Sequence, residues 1–506
     1  MSGACMSGKF IFTVIFAAVV TVVCASPSDA REWSMVGPRA LGMGGANVAV
    51  ANDATASYWN PAAFGFFLDS EGGEYGRRGV SAVVDVGVGL QVHEDLGEQI
   101  DKISKIDFDR FNGGTLAASE VNDFIRIIND LKTFNDNPDR SVALMANSGL
   151  RMQAGHWGLG GYAFADVSAK GSIDLVNIGP VTTGTTFTLN DFTNPANYGC
   201  PGVCAGGTYL SAAQKTELQT FLTGLGWDAT QRGNFINAVD YGLSQVPAAS
   251  VPADIVAQIE TVAAIGDAAA ASGNSIDNNM SKLIFRGIGV AEIPLTYGRK
   301  ITDDFALGVN FKYMKARVYN IELRIFNTDL GDALDNAKEE YVDSTAFGVD
   351  VGALYRFGDR LRLGVVARNV NSPEFDMKPL YTGGPDTIKE KAQVRAGIAF
   401  KPVDMLLFAV DMDLTENDTA VSDEYKSKNV AAGLELNLFN FLRLRGGAYK
   451  NLAENDIGLV YTAGLGLNLW LVNIDVGAAM SKDSSTVDGE DIPNEARVEL
   501  ALSMLF

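Results

Sequence analysis

Only two histidines occur in the 506 residues, His93 and His156, so any Ser-His or Asp-His hydrolytic machinery would have to be built on one of them. His156 stands in the turn-like GHWG, and His93, in HEDLGEQ, has acidic neighbours but no obvious nucleophile. The carboxylates of DMDLTEND (Asp411, Asp413, Glu416, Asp418) offer oxygen ligands of the kind calcium takes, without the looped glycine spacing of a calcium motif. Cys200 and Cys204, in YGCPGVCAGG, have no histidine near to complete a zinc site. In an exported chain they are expected to form a small disulfide that stiffens a Gly/Pro-rich loop. GMGGA lacks the strand–helix context and the later acidic partner of a nucleotide-binding turn. Together these residues point away from catalysis: no enzyme activity, no cofactor and no metal site is expected.

Acidic residues outnumber basic ones by 61 to 40, a net charge of −21 that repels nucleic acid and anionic surfaces. Nucleic acid is therefore not an expected partner. The N-terminus has the layout of an export signal: Lys9, an apolar run from Phe10 to Val23, and Ser28-Asp29-Ala30 as a small-residue cleavage site. Residues 1–30 are read as that signal, and the apolar run is too short to span a bilayer as a helix. Cys24 does not mark a lipoprotein, because Val23 before it is larger than such a site accepts.

What positions the remaining residues is a period of two. VVDVGVGLQV places Val84, Val86, Val88, Leu90 and Val92 on one face, and DFALGVNFKYMKARVY repeats the alternation with Phe305, Leu307, Val309, Phe311 and Tyr313. Fourteen such segments are found, near 79–92, 140–154, 157–169, 283–298, 304–320, 345–357, 360–371, 391–401, 404–414, 428–438, 441–450, 457–468, 470–481 and 495–506. Most are about 10 residues or somewhat longer, the length of a tilted membrane strand. Short turns alternate with longer connections, and charges such as Asp85, Asp350, Asp411 and Arg497 keep to the polar parity. Lys315 and Arg317 break that parity near a long loop, where long side chains reach the interface. Trp157 and Trp470 lie beside short turns, as in an aromatic girdle. The fold class is thus all-β: a fourteen-stranded antiparallel transmembrane β-barrel in the outer membrane of a Gram-negative bacterium, spanning 79–506. Insertions at about 93–139 and 170–282 carry helical spacing (Phe124, Ile127, Ile128, Leu131) and a capping box at Ser211 and Gln214, and are read as helical outer loops.

Before the first strand, residues 31–78 hold the glycine-rich RALGMGGANVAVANDATAS and then YWNPAAF, an Asn-Pro turn set among apolar residues. In that position such a segment can be buried only in the lumen, as a hatch. RALGMGGANVAVANDATASYWNPAAF resembles the FadL-like superfamily of outer-membrane transport proteins, and in particular its TraF-type conjugal transfer branch; GVVARNVNSPEF around Asn369 is similar as well. The resemblance implies a fourteen-stranded barrel whose N-terminal hatch carries Asn60, Pro61 and Ala62. It also implies passive, gated passage of hydrophobic compounds such as long-chain fatty acids or hydrocarbons, with a lateral exit at the third strand. There Gly158, Gly160 and Gly161 mark either a bend at such a gate or a tight periplasmic turn. Arg151, Arg362, Arg395 and Arg443 fall on the lumen parity, as contacts for an anionic head group or for carboxylates that hold the hatch. The branch also admits a structural or assembly role in a conjugation or secretion apparatus. Expected partners are outer-membrane lipids, a hydrophobic ligand, the barrel-assembly machinery read by the terminal Phe506, and conjugation or secretion proteins.

Overall fold

Period-two patterning closes on itself in the structure. The computed structural model describes residues 31–67, 79–99, 116–177, 187–200, 204, 207–274, 278–324, 340–380, 382, 384–422, 424–487 and 490–505. The export-signal reading of residues 1–30 lies outside them. Among the described residues fourteen strands form a closed barrel: β1 Val80–Val92, β2 Val142–Ala154, β3 Trp157–Ser172, β4 Lys282–Thr302, β5 Phe305–Arg324, β6 Val342–Phe357, β7 Leu361–Arg368, β8 Gln393–Val403, β9 Leu406–Asp413, β10 Asn429–Leu438, β11 Leu442–Asn451, β12 Val460–Leu469, β13 Val472–Ser481 and β14 Glu495–Leu505. Each pairs antiparallel with its sequence neighbours, and β1 meets β14 with Asp85 opposite Ala501.

Side chains sort by parity because one face of the wall meets lipid and the other the lumen. Val84, Val86, Val88, Phe311, Phe347 and Leu500 are exposed on the outside, while Asp85, Arg151, Glu292, Asn310, Asp350 and Glu499 are buried inside. Lys315 and Arg317 face outward and share Asp343, at 3.6 and 2.8 Å, near the outer end of β5. Trp157 and Trp470 project beside the inner turns and are 55% and 96% exposed.

The outer insertions form a separate helical layer. Its helices are α1 Val121–Asp136, α2 Ala212–Gly224, α3 Ala229–Ser244 and α4 Ile255–Ser272. Ser211 and Gln214 close the capping box at the start of α2, and Asp228 and Gln231 close one at α3. These helices bury a core of their own that includes Ile125, Leu218, Leu222, Trp227, Phe235 and Ile259. The layer is tied down where β3 ends and β4 begins: Asp174 accepts from Val176 N at 2.9 Å and from Met280 N at 2.9 Å. Cys200 and Cys204 are joined by a disulfide with Cα atoms 5.0 Å apart.

Candidate functional site

Residues 31–67 fill the lumen. Trp33, Trp59, Phe64, Phe66 and Phe67 are all within 1% of full burial, which the barrel wall alone makes possible for so short a segment. A short helix, Pro38–Gly42, starts on its proline; a second, Ala56–Trp59, runs into the Asn-Pro turn and a 3-10 helix, Pro61–Phe66. Asn60 is extended (φ −165°, ψ 103°), as the following proline requires. Its side chain makes three bonds: Oδ1 accepts from Ala62 N at 3.1 Å, and Nδ2 donates to Val48 O at 3.2 Å and to Ala353 O of β6 at 3.0 Å. The turn is therefore both capped and fastened to the wall.

Three glycines make room for it. Gly298, Gly308 and Gly352 lie opposite one another on β4, β5 and β6. A Cβ on Gly298 would sit 2.6 Å from Pro61 O, and one on Gly308 or Gly352 would overlap the Pro61 carbonyl carbon or Asn60 Oδ1 outright. This glycine row was not singled out in the sequence, although each member stands on the lumen parity.

Charged wall residues hold the rest of the hatch. Arg39 is bidentate to Glu435 at 2.8 and 2.9 Å, Asp411 accepts from Asn47 N and Val48 N at 2.7 and 2.8 Å, and His156 Nδ1 meets Phe64 O at 2.8 Å. Of the four arginines on the lumen parity, Arg151 pairs with Asp85 and lies over the Tyr162 ring. Arg395 pairs with Asp413 at 2.5 Å and lies over Trp33. Arg362 is buried on β7. Arg443 is half-buried, and its neighbour Arg445 is the one that bridges Glu435 and Asp475 at 2.7 and 2.6 Å. The densest cluster uses residues the sequence reading did not name as a site. Glu292 receives Arg31, Arg368 and Lys312 at 2.7, 3.1 and 3.3 Å, and Lys312 also meets Asp350 at 2.9 Å. Asn369 links Lys312 to Glu390, with 2.7 Å on each side.

A hollow of about 260 Å³ lies against β5, β6 and β7, lined by Leu307, Gly308, Val351, Gly352 and Val365. A cavity of about 40 Å³ lies under the outer loops, lined by Arg31, Arg286, Ile288, Val318, Met377 and Ile388. It suits a water or two, whereas a benzene-sized solute needs ~150 Å³. Among the described residues no cluster of His, Cys, Asp and Glu fits a metal ion.

Among the described residues the β3–β4 ladder of the wall has a gap. Gly298 N donates to His156 O at 3.0 Å, so moving two residues at a time makes Gly158/Thr296 and Gly160/Pro294 the next pairs placed to exchange hydrogen bonds. Proline has no N–H to give. The β3–β4 ladder duly lapses opposite Gly160 and Gly161 and resumes at Tyr162/Glu292 in the same register, so no bulge is involved. Gly158 abuts the hatch, since a Cβ there would meet Phe64 at 2.8 Å, whereas Gly161 faces open space on the outside.

A family model described as "F plasmid transfer operon, TraF, protein" matches residues 57–413. The chain belongs to that family. The match runs from the Asn-Pro turn through the Asn369 and Asp411 contacts of this TraF-family barrel. Among solved structures it is similar to the Ralstonia pickettii toluene transporter TbuX (12% identity, 94% of this chain and 99% of that one, TM-score 0.44). It is similar also to the Pseudomonas putida toluene transporter TodX (10%, 94% and 99%, 0.43) and to a Pseudomonas aeruginosa FadL homologue (11%, 94% and 99%, 0.42). No curated protein matches the sequence.

Proposed function

We propose that this barrel is a gated, passive path for hydrophobic or amphipathic small molecules, such as long-chain fatty acids or hydrocarbons, through the outer membrane, and that the arrangement described is its closed state. The observation that carries the reading is the lapse in the β3–β4 ladder at Gly160/Pro294, beside Phe64 of the hatch. In hydrocarbon an unpaired backbone carbonyl costs several kcal/mol, so a sealed barrel has no reason to keep a proline there. Small hatch movements at Phe64 would join the lumen to this seam and release an apolar solute sideways. Uptake would begin above the small cavity under the outer loops, whose walls are largely apolar (Ile288, Val318, Met377, Ile388) and which would have to widen to admit a solute.

The second reading is a structural role in a conjugation or secretion apparatus, favoured by the ion pairs that fasten the hatch to the wall. Native mass spectrometry with lipid extraction on protein purified gently from outer membranes separates the two. Co-purified fatty acids or hydrocarbons, depleted by Asn60→Ala, are the expected result for the path. Barrels free of lipid-like ligand that retain a protein partner would overturn it.

A further inference from the structure

Arg31, the first residue after the expected cleavage site, is only 4% exposed. Its carbonyl accepts from Gln393 Nε2 at 2.6 Å, its guanidinium donates to Glu292 at 2.7 Å, and it lies 4.1 Å over the Phe164 ring. Four buried carboxylates (Asp166, Glu292, Asp350, Glu390) share this cluster with three cations (Arg31, Lys312, Arg368), leaving one negative charge in excess. Two carboxylate oxygens, Asp166 Oδ2 and Glu390 Oε1, face Arg31 Nε at 3.9 and 3.3 Å without receiving a hydrogen bond, and two donors of the same cluster, Arg31 Nη1 and Arg368 Nε, are likewise unpartnered. Burying such acceptors without a donor is costly, and the surplus charge adds to the cost.

We propose that the chain is cut between Ala30 and Arg31 on export, and that the α-ammonium so created is held in the lumen by Asp166 and Glu390. Hydrolysis of the Ala30–Arg31 peptide bond leaves a carboxylate on the released segment and an amine on Arg31, which is protonated at neutral pH. That group brings one positive charge and three donors to a residue whose carbonyl and side chain are already fixed. It would balance the cluster and offer donors to the two orphaned oxygens, an instance of N-terminal amine capture. Because Arg31 is enclosed by β3, β4 and the chain following β7, cutting precedes closure of the barrel around it. The inference does not depend on whether the barrel transports anything.

Protein extracted from outer membranes is reductively methylated either folded or after unfolding in SDS, and its N-terminal peptide is then mapped. The expected peptide begins at Arg31, with an α-amine unmodified in the folded barrel and modified in the unfolded chain. A chain beginning elsewhere, or an α-amine modified equally in both, overturns the proposal. As a second measurement, Gly-Ser inserted between Ala30 and Arg31 displaces the ammonium while keeping the arginine. The inserted barrel is expected to unfold at a lower temperature, and Asp166→Asn to restore part of the loss by removing the surplus charge. An unchanged unfolding temperature overturns the proposal.

Discussion

At the scale of the residue, Asn60 and the glycines beneath it set the hatch. Asn60→Ala removes three hydrogen bonds and leaves Val48 O and Ala353 O buried without that donor. A loss of about 1–3 kcal/mol per buried group left unsatisfied is expected, seen as a lower thermal midpoint of a barrel that still forms. Gly308→Ala acts differently, because its methyl group would occupy the place of the Pro61 carbonyl carbon. The hatch must then give way, and planar-bilayer recording should find ion conductance through a lumen that is closed in the wild type. Gly161→Ala, facing open space, is the matched control and should stay closed. The Asn-Pro turn was legible because proline constrains the residue before it and apolar neighbours demand burial. Its glycine row was not, since three residues far apart in sequence become one feature only through register. The same holds for Arg443 and Arg445, which share a parity: the direct pairing of Glu435 with Arg445 decides between them.

At the scale of the element, alternation alone placed the strands to within a few residues, because a wall between lipid and a polar lumen leaves every second position no choice. What alternation cannot supply is which strand pairs with which residue opposite, and the seam depends on that. Pro294 reads as an ordinary lumen-parity residue until it falls opposite Gly160. The foot of the helical layer gives a pH test. Partial burial pushes the Asp174 carboxyl up, but hydrogen bonds from the Asn177 side chain and from the N–H groups of Met280, Val176 and Asn177 outweigh it and hold it below the usual carboxylate range. A depressed carboxylate contributes stability that is present above its unfolded value, near 3.8, and lost as pH falls through the folded value. Pepsin should therefore nick the insertion between β3 and β4 faster as the pH drops below about 4. Asp174→Asn should nick readily throughout and lose that dependence; identical pH profiles for the two would count against the tie.

At the scale of the whole molecule, the described residues form a barrel, a hatch that fills its lumen and a helical layer with a core of its own. The hatch is pinned by buried ion pairs, and removing one partner of such a pair costs ~3–5 kcal/mol, so wholesale expulsion of residues 31–67 is not a workable gate. Under the proposed function opening would be local, and the seam at Gly160/Pro294 is where a local movement of Phe64 would reach the wall. The most direct measurement of this account places cysteines at Gly161 and Ile293, opposite each other on the outer face of the lapse. Proteoliposomes holding this double variant are assayed for entry of a labelled fatty acid and of toluene, with the bridge oxidised and then reduced. Entry that stops on oxidation and returns on reduction is the predicted result; entry at the same rate in both states would contradict a path through the seam.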